Sequence, residues 1–167
     1  MGCGSNRVEW TTECQSNLDC IVSHLTSHPI LILPDFTEQF ILRTDASDAG
    51  LGACLLQLRE GMLHPVTFVS RKLLPRERKY AILERECLAV VWAVGKLSRY
   101  LTFSKFVLES DAKPLRFLAE RRSTSARLTR WALALQPYCF DVRHIAGSQN
   151  CIADLLSRNF DVVTEAV

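Results

Sequence analysis

Phe40-Ile41-Leu42-Arg43-Thr44-Asp45-Ala46-Ser47 is the stretch that decides the fold. Phe40, Leu42 and Thr44 alternate with Ile41, Arg43 and Asp45, the period of two expected of a strand whose two faces see different surroundings. The run ends on an aspartate. Beyond it, Ala46-Ser47-Asp48-Ala49-Gly50-Leu51-Gly52 is small and turn-prone, so the chain reverses into a second strand, Ala53-Cys54-Leu55-Leu56-Gln57. Arg59-Glu60-Gly61 turns that strand into a third, Val66-Thr67-Phe68-Val69-Ser70, which completes an antiparallel meander. A fourth strand, Lys105-Phe106-Val107-Leu108-Glu109-Ser110-Asp111, mirrors the first: alternation, then an aspartate. A helix lies between these two similar strands, which makes them parallel neighbours joined by a right-handed crossover. Their terminal carboxylates then converge, and the same register predicts an ion pair between Arg43 and Glu109.

The crossover helix runs from about Tyr80 to Leu97, and its segment Cys87-Leu88-Ala89-Val90-Val91-Trp92-Ala93-Val94 is apolar nearly all round, as befits the central packing helix. Glu86 stands at the head of this run, one turn from Leu83 and from Val90. A carboxylate beside a buried face is costly unless it is paired, hydrogen-bonded or metal-bound. Pro114 opens a short helix through Ala119, and Ser125 to Leu135 forms another with Leu128, Trp131 and Leu135 as its stripe. Tyr138 to Ile145 reads as a fifth strand. After the loop Ala146-Gly147-Ser148-Gln149-Asn150, a last helix carries Ile152, Ala153, Leu155 and Leu156, with Asp154 among them. Upstream, residues 9–27 read as an amphipathic helix with Leu18, Ile21, Val22 and Leu25 on one side, stopped by His28-Pro29. The element order is that of an α/β layered domain.

With 167 residues, 48% of them apolar, the chain can bury a sizeable single core. The net charge of +2 hides two basic segments. Lys113, Arg116, Arg121, Arg122, Arg127 and Arg130 stand against Glu120 alone, and Arg71, Lys72, Arg76, Arg78 and Lys79 against Glu77. Each segment taken alone is an ordinary solvated surface. Flanking a cluster of acids, they suggest a polyanionic substrate brought to a metal site. Seven cysteines without a Cys-x-x-Cys pair argue against a zinc site or a disulfide framework and for a reducing compartment. Cys54 and Cys87, inside apolar runs, are core residues. No stretch is long and apolar enough to span a membrane, and no secretory signal opens the chain.

Five motifs follow one another in the chain: Thr44-Asp45-Ala46-Ser47; Ser70-Arg71-Lys72-Leu73; Glu84-Arg85-Glu86-Cys87-Leu88-Ala89-Val90-Val91-Trp92-Ala93; Ser110-Asp111-Ala112-Lys113-Pro114-Leu115; and Asn150-Cys151-Ile152-Ala153-Asp154-Leu155-Leu156-Ser157-Arg158. In that order they resemble the ribonuclease H domain of a gypsy-type LTR retrotransposon Pol polyprotein. The resemblance implies a ribonuclease H-like fold, a five-stranded mixed sheet of three antiparallel strands followed by two parallel ones, flanked by helices. It implies residues 1–34 as a remnant of the reverse-transcriptase thumb and linker, 35–158 as the ribonuclease H-like domain, and 159–167 as a tail. It also implies an Mg²⁺-dependent endonuclease, with Mn²⁺ a possible substitute, that cuts the RNA strand of an RNA–DNA hybrid. The polymerase and integrase parts of such a polyprotein would be its partners, and the chain has no polymerase site of its own. An intracellular, cytoplasmic setting is the expectation for retroelement enzymes, not something these residues show.

By position, Asp45, Glu86, Asp111 and Asp154 match the family's four acids; Glu86 is chosen over Glu84 because it directly precedes the apolar run. Two Mg²⁺ ions would activate a water and stabilise the leaving oxygen, with Asp45 bridging both, Glu86 and Asp111 on one and Asp154 on the other. Taken singly, Asp45 and Asp111 are also plain turn formers and Asp154 a plain helix residue; together with Glu86 they would need four coincidences. In cellular and some retroviral members of the fold a mobile histidine helps water entry or product release, and His144 is the candidate here, beside its simpler reading as an exposed strand end. Ser47, Ser70 and Asn150 are candidates for groove contacts, and Arg71, Lys72, Lys113, Arg116 and Arg130 for phosphates. Ala112 replaces a histidine common in relatives. A catalytically weak or inactive nucleic-acid-binding fragment that keeps the fold is the alternative, and a DNA nuclease resembling transposases of this fold is a third reading.

Overall fold

The alternating segments pair as strands. β1 (Phe40–Ala46), β2 (Gly50–Arg59) and β3 (Met62–Lys72) form an antiparallel meander, and β4 (Phe106–Ser110) and β5 (Phe140–His144) extend it in parallel, giving the sheet order β3-β2-β1-β4-β5. The computed structural model describes residues 11–13, 15, 16, 31–111 and 125–158. The chain divides into two units, 1–30 and 31–167. In the first, the described residues hold one helical bond, from Gln15 N–H to Thr11 O at 3.1 Å; the sheet belongs to the second. Most of the helix expected over 9–27, the helix expected from Pro114, and the tail lie outside the described residues.

Phe40 and Leu42 of β1, Ala53 and Leu55 of β2, and Phe106 and Leu108 of β4 share one face of the sheet, and α1 (Ile82–Lys96) covers it with Cys87, Val90, Ala93 and Val94. Each fully buried Phe or Leu here stabilises the fold by about 1.5–3 kcal/mol. The short α2 (Ser98–Leu101) and α3 (Ala126–Ala134) close this layer with Leu101 and Leu128. Glu84 starts α1 cleanly, its Oε2 accepting the Ala81 N–H at 3.3 Å. Cys54 and Cys87 are buried, and burial pushes both thiols up to about 12, so neither is a nucleophile at neutral pH. On the opposite face Ile41, Cys54, Leu56 and Val107 pack together with Phe68, and α4 (Cys151–Arg158) lies across β1 and β2 at the Asp45 end.

Two strands are longer than the sequence suggests. Leu51 and Gly52, expected in a turn, already pair with Ala46 and Asp45, so the reversal itself is confined to Ser47–Ala49. β3 begins at Met62 instead of Val66 because the ladder absorbs Pro65 at a register shift between Leu55 and Leu56. The two-residue turn at its head has both φ angles positive, 52° at Glu60 and 79° at Gly61, the geometry that matches strand twist.

β1 and β4 run parallel with Arg43 opposite Glu109. The expected ion pair is present: Arg43 Nε lies 2.8 Å from Glu109 Oε2, and Arg143 Nη1 of β5 lies 3.2 Å from Oε1. Glu109 is only 4% exposed, and the two guanidiniums are what make its burial tolerable. Two residues beyond this register pair, Asp45 and Asp111 leave the same end of adjacent strands.

Candidate active site

Asp45, the last residue but one of β1, has its side chain on the face beneath α4 and is 7% exposed. Its Oδ2 accepts the Ser157 hydroxyl at 2.5 Å. Burial raises its pKa, the Ser157 bond works against that, and the charges of Asp154 and Asp111 raise it further. Glu86 projects from α1 toward the same place. Burial first, then the charges of Asp45 and Asp111, raise its pKa to about 8, and its Oε2 is buried with no hydrogen-bond partner. Glu84 turns elsewhere, to Arg127 Nη1 at 3.0 Å. Asp111 follows β4 and faces the 3₁₀ turn Gly147–Gln149 closely enough that a Cβ on Gly147 would stand 3.3 Å from its Oδ2. Asp154, on the first turn of α4, is half-exposed, and its Oδ1 accepts from Arg158 Nε at 2.8 Å and Nη2 at 2.7 Å. The four acids therefore come from β1, α1, the end of β4 and α4, and act on one another electrostatically.

Four elements are tied together at this point. Arg85 Nη1 donates to Ser47 O at 3.0 Å, fixing the head of α1 to the β1–β2 turn. Ser47 Oγ donates to Ser157 O at 2.7 Å and accepts the Gly50 N–H at 2.9 Å. Asn150 Nδ2 donates to Thr44 O at 3.0 Å, and Arg43 Nη1 donates to Gln149 O at 2.9 Å, so the turn before α4 is held against β1. Gly52 lies directly under α4: a Cβ there would stand 2.4 Å from Ala153 O and 2.5 Å from Ser157 N.

The polar residues expected to meet nucleic acid fall into three groups. Ser47 and Asn150 are buried, Ser47 Oγ and Asn150 Nδ2 held in these internal bonds while Asn150 Oδ1 and the Ser70 hydroxyl are buried without a partner, and Arg71 forms a two-pronged pair with Glu77 at 2.6 and 3.1 Å beside the Trp92 ring. Lys72 and Arg130 are exposed, as is His144, which ends β5 opposite Ser110. Lys113 and Arg116 lie outside the described residues. A cleft of about 540 Å³ near the start of α1 is lined by Pro75, Arg76, Lys79, Tyr80 and Arg127, with the Arg127 guanidinium 3.9 Å over the Tyr80 ring. Sequence reasoning missed Ser157, Gly52 and this cleft; the signal for the first two, a serine one turn after Asp154 and a glycine opposite Asp45, acquires meaning only when α4 is seated on the sheet.

Residues 35–138 match the model of the RNase H-like domain found in reverse transcriptase. The chain is 45% identical over 130 residues to the retrovirus-related Pol polyprotein from transposon 297 of Drosophila melanogaster, covering 78% of this chain and 12% of that protein. It is 34% identical over 160 residues to the transposon Tf2-3 polyprotein of Schizosaccharomyces pombe, covering 93% of this chain and again 12% of the relative. The chain thus spans about an eighth of the curated relatives it matches. Among solved structures, the foamy viral protease-reverse transcriptase in complex with RNA/DNA hybrid superposes with a TM-score of 0.58 at 21% identity, covering 99% of this chain and 22% of that one. RNase H1 from Halobacterium salinarum NRC-1 superposes with a TM-score of 0.52 at 14% identity, covering 71% of this chain and 92% of that one.

Proposed function

The chain belongs to the family of RNase H-like domains found in reverse transcriptase, and on that premise we propose that it is an Mg²⁺-dependent endonuclease that hydrolyses the RNA strand of RNA–DNA hybrids. The observation that carries this reading is the mutual influence of four carboxylates brought from four elements, with Glu86 raised to about 8 and its Oε2 buried without a partner. Such a set is unfavourable in itself and is relieved by cations among the oxygens. The donors suit a hard divalent ion, being carboxylates throughout.

Among the described residues no three His, Cys, Asp or Glu side chains already stand as a ligand set. In this reading the outer carboxylates, Asp111 and Asp154, which are partly exposed, would close on the buried Asp45 when ions bind. In this reading Asp45 serves both ions, Glu86 and Asp111 one, and Asp154 the other. Two bound Mg²⁺ ions would supply a nucleophilic water and stabilise the leaving oxygen. His144, exposed beside the end of β4, is assigned to water entry or product release.

A hybrid is recognised by its groove shape and 2′-hydroxyls more than by base edges. Because Ser47 and Asn150 are buried and Arg71 is paired with Glu77, phosphate contact is assigned to the exposed Lys72 and Arg130 and the exposed cleft residues Arg76 and Lys79, together with Lys113 and Arg116. In a polyprotein of the relatives' kind, the polymerase and integrase parts would be its partners.

One observation favours a second reading, an inactive hybrid-binding module: Arg158 already occupies the Asp154 carboxylate. The test is a labelled RNA strand presented in a hybrid, as single-stranded RNA, and beside duplex DNA, with Mg²⁺ and with a chelator. The nuclease reading expects cutting of the hybrid alone, lost on chelation. Tight hybrid binding without cutting supports the second reading, and cutting of duplex DNA overturns both.

A further inference from the structure

The residue of α4 that meets Asp45 is Ser157, one turn beyond Asp154. Ser157 is wholly buried, and its Oγ lies 2.5 Å from Asp45 Oδ2 and 2.9 Å from Asp154 O. A hydroxyl has one proton, and the shorter contact to a carboxylate takes it, at a separation typical of a charge-assisted bond. Ser157 is itself held: its carbonyl accepts from Ser47 Oγ at 2.7 Å, and its backbone rests on Gly52, where a Cβ would lie 2.5 Å from its nitrogen. The hydroxyl is therefore delivered to Asp45 by a helix that cannot shift without breaking a bond.

We propose that Ser157 is the positioning residue of Asp45: it fixes Oδ2 and leaves Oδ1 as the oxygen through which Asp45 would serve the ions. The inference rests on the nuclease reading. Its chemical logic is that a neutral donor orients a carboxylate without neutralising it, whereas an arginine in this place would compete with the ion. Arg158 on the half-exposed Asp154 shows the contrast, a cationic partner at 2.7 and 2.8 Å on a carboxylate nearer the solvent.

The experiment compares the full chain with Ser157→Ala and Ser157→Cys, the second keeping a side-chain donor that is bulkier and donates weakly. Val90→Ala, a buried change under the other face of the sheet, serves as a control for stability loss. Mn²⁺ affinity is read by calorimetry and the melting temperature by circular dichroism, beside kcat and KM on the hybrid. Both Ser157 variants should lose about 10–100-fold in Mn²⁺ affinity and in kcat, the range for a group that orients a metal ligand, with KM for the hybrid little changed. Val90→Ala should melt earlier yet keep its Mn²⁺ affinity. Should Ser157→Ala not fold, Ser157→Cys decides in the same way. Wild-type Mn²⁺ affinity and kcat in the Ser157 variants, with Asp45→Asn inactive, overturn this inference and leave the nuclease standing. A wild-type chain that neither binds Mn²⁺ nor cuts the hybrid overturns both.

Discussion

Replacing Gly52 by alanine puts one methyl group where α4 touches the sheet. The added Cβ would stand 2.4 Å from Ala153 O, 2.5 Å from Ser157 N and 2.8 Å from the carbonyl carbon of Leu156, all backbone atoms of one helix. Ordinary contact begins near 3.4 Å, so α4 must retreat by about 1 Å, and no side chain can swing aside to relieve it. Overpacking of this kind costs about 1–3 kcal/mol. Loss of glycine's freedom in the unfolded chain returns only about 0.4–1 kcal/mol. The net change is destabilising, a fall in melting temperature of several degrees for a domain of this size. The retreat also carries Asp154 away and loosens Ser157 from Asp45, and a misplacement of about 1 Å can reduce turnover by about 100-fold. Thermal melting followed by circular dichroism reads the first effect and single-turnover hybrid cleavage the second. A Gly52→Ala chain that melts and cleaves as the wild type does would refute the seating of α4 described here.

A double-mutant cycle on Arg43 and Glu109, by urea unfolding, should give a coupling of about 0.5–3 kcal/mol, because the carboxylate is buried between two guanidiniums; zero coupling would contradict the β1–β4 register. Glu60→Asn, which suits the left-handed conformation at φ 52°, should raise stability by about 0.5–1 kcal/mol by the same measurement. At Glu77, burial alone would raise the pKa, but the Arg71 bonds and the Leu74 N–H outweigh it and hold the carboxyl below its usual range. A depressed folded-state pKa contributes stability above the unfolded value, lost as pH falls through the folded one. Glu77→Gln should therefore be less stable than wild type at pH 7, the difference closing below about pH 4; a gap that persists in acid would show that the ion pair is not its source.

Much of the framework of the candidate site was legible because strand periodicity is a local property. Alternation in Phe40–Asp45 and Phe106–Asp111 fixes which residues share a face, and the parallel crossover then predicts the Arg43–Glu109 pair that the structure contains at 2.8 Å. The apolar run after Glu86 likewise marks α1. What the sequence hides depends on approach between distant segments. Ser47 and Ser157 are 110 residues apart, as are Asn150 and Thr44 by 106, and nothing near either serine or asparagine tells that it faces protein. Gly52 reads as a turn glycine because its neighbours are small, whereas its role is to let a helix backbone approach. The third strand reads as beginning at Val66, but the register shift at Leu55/Leu56 carries the ladder back past Pro65 to Met62.

The central claim is that Asp45, Glu86, Asp111 and Asp154 act as one metal-dependent unit on a hybrid. Its most direct test is Mg²⁺-dependent cleavage of a labelled RNA strand in an RNA–DNA hybrid by the wild-type chain and by folded Asp45→Asn. The account predicts cutting by the first, and by the second a rate lowered at least about 100-fold. Equal cutting by both, or none by a folded wild type, would contradict it.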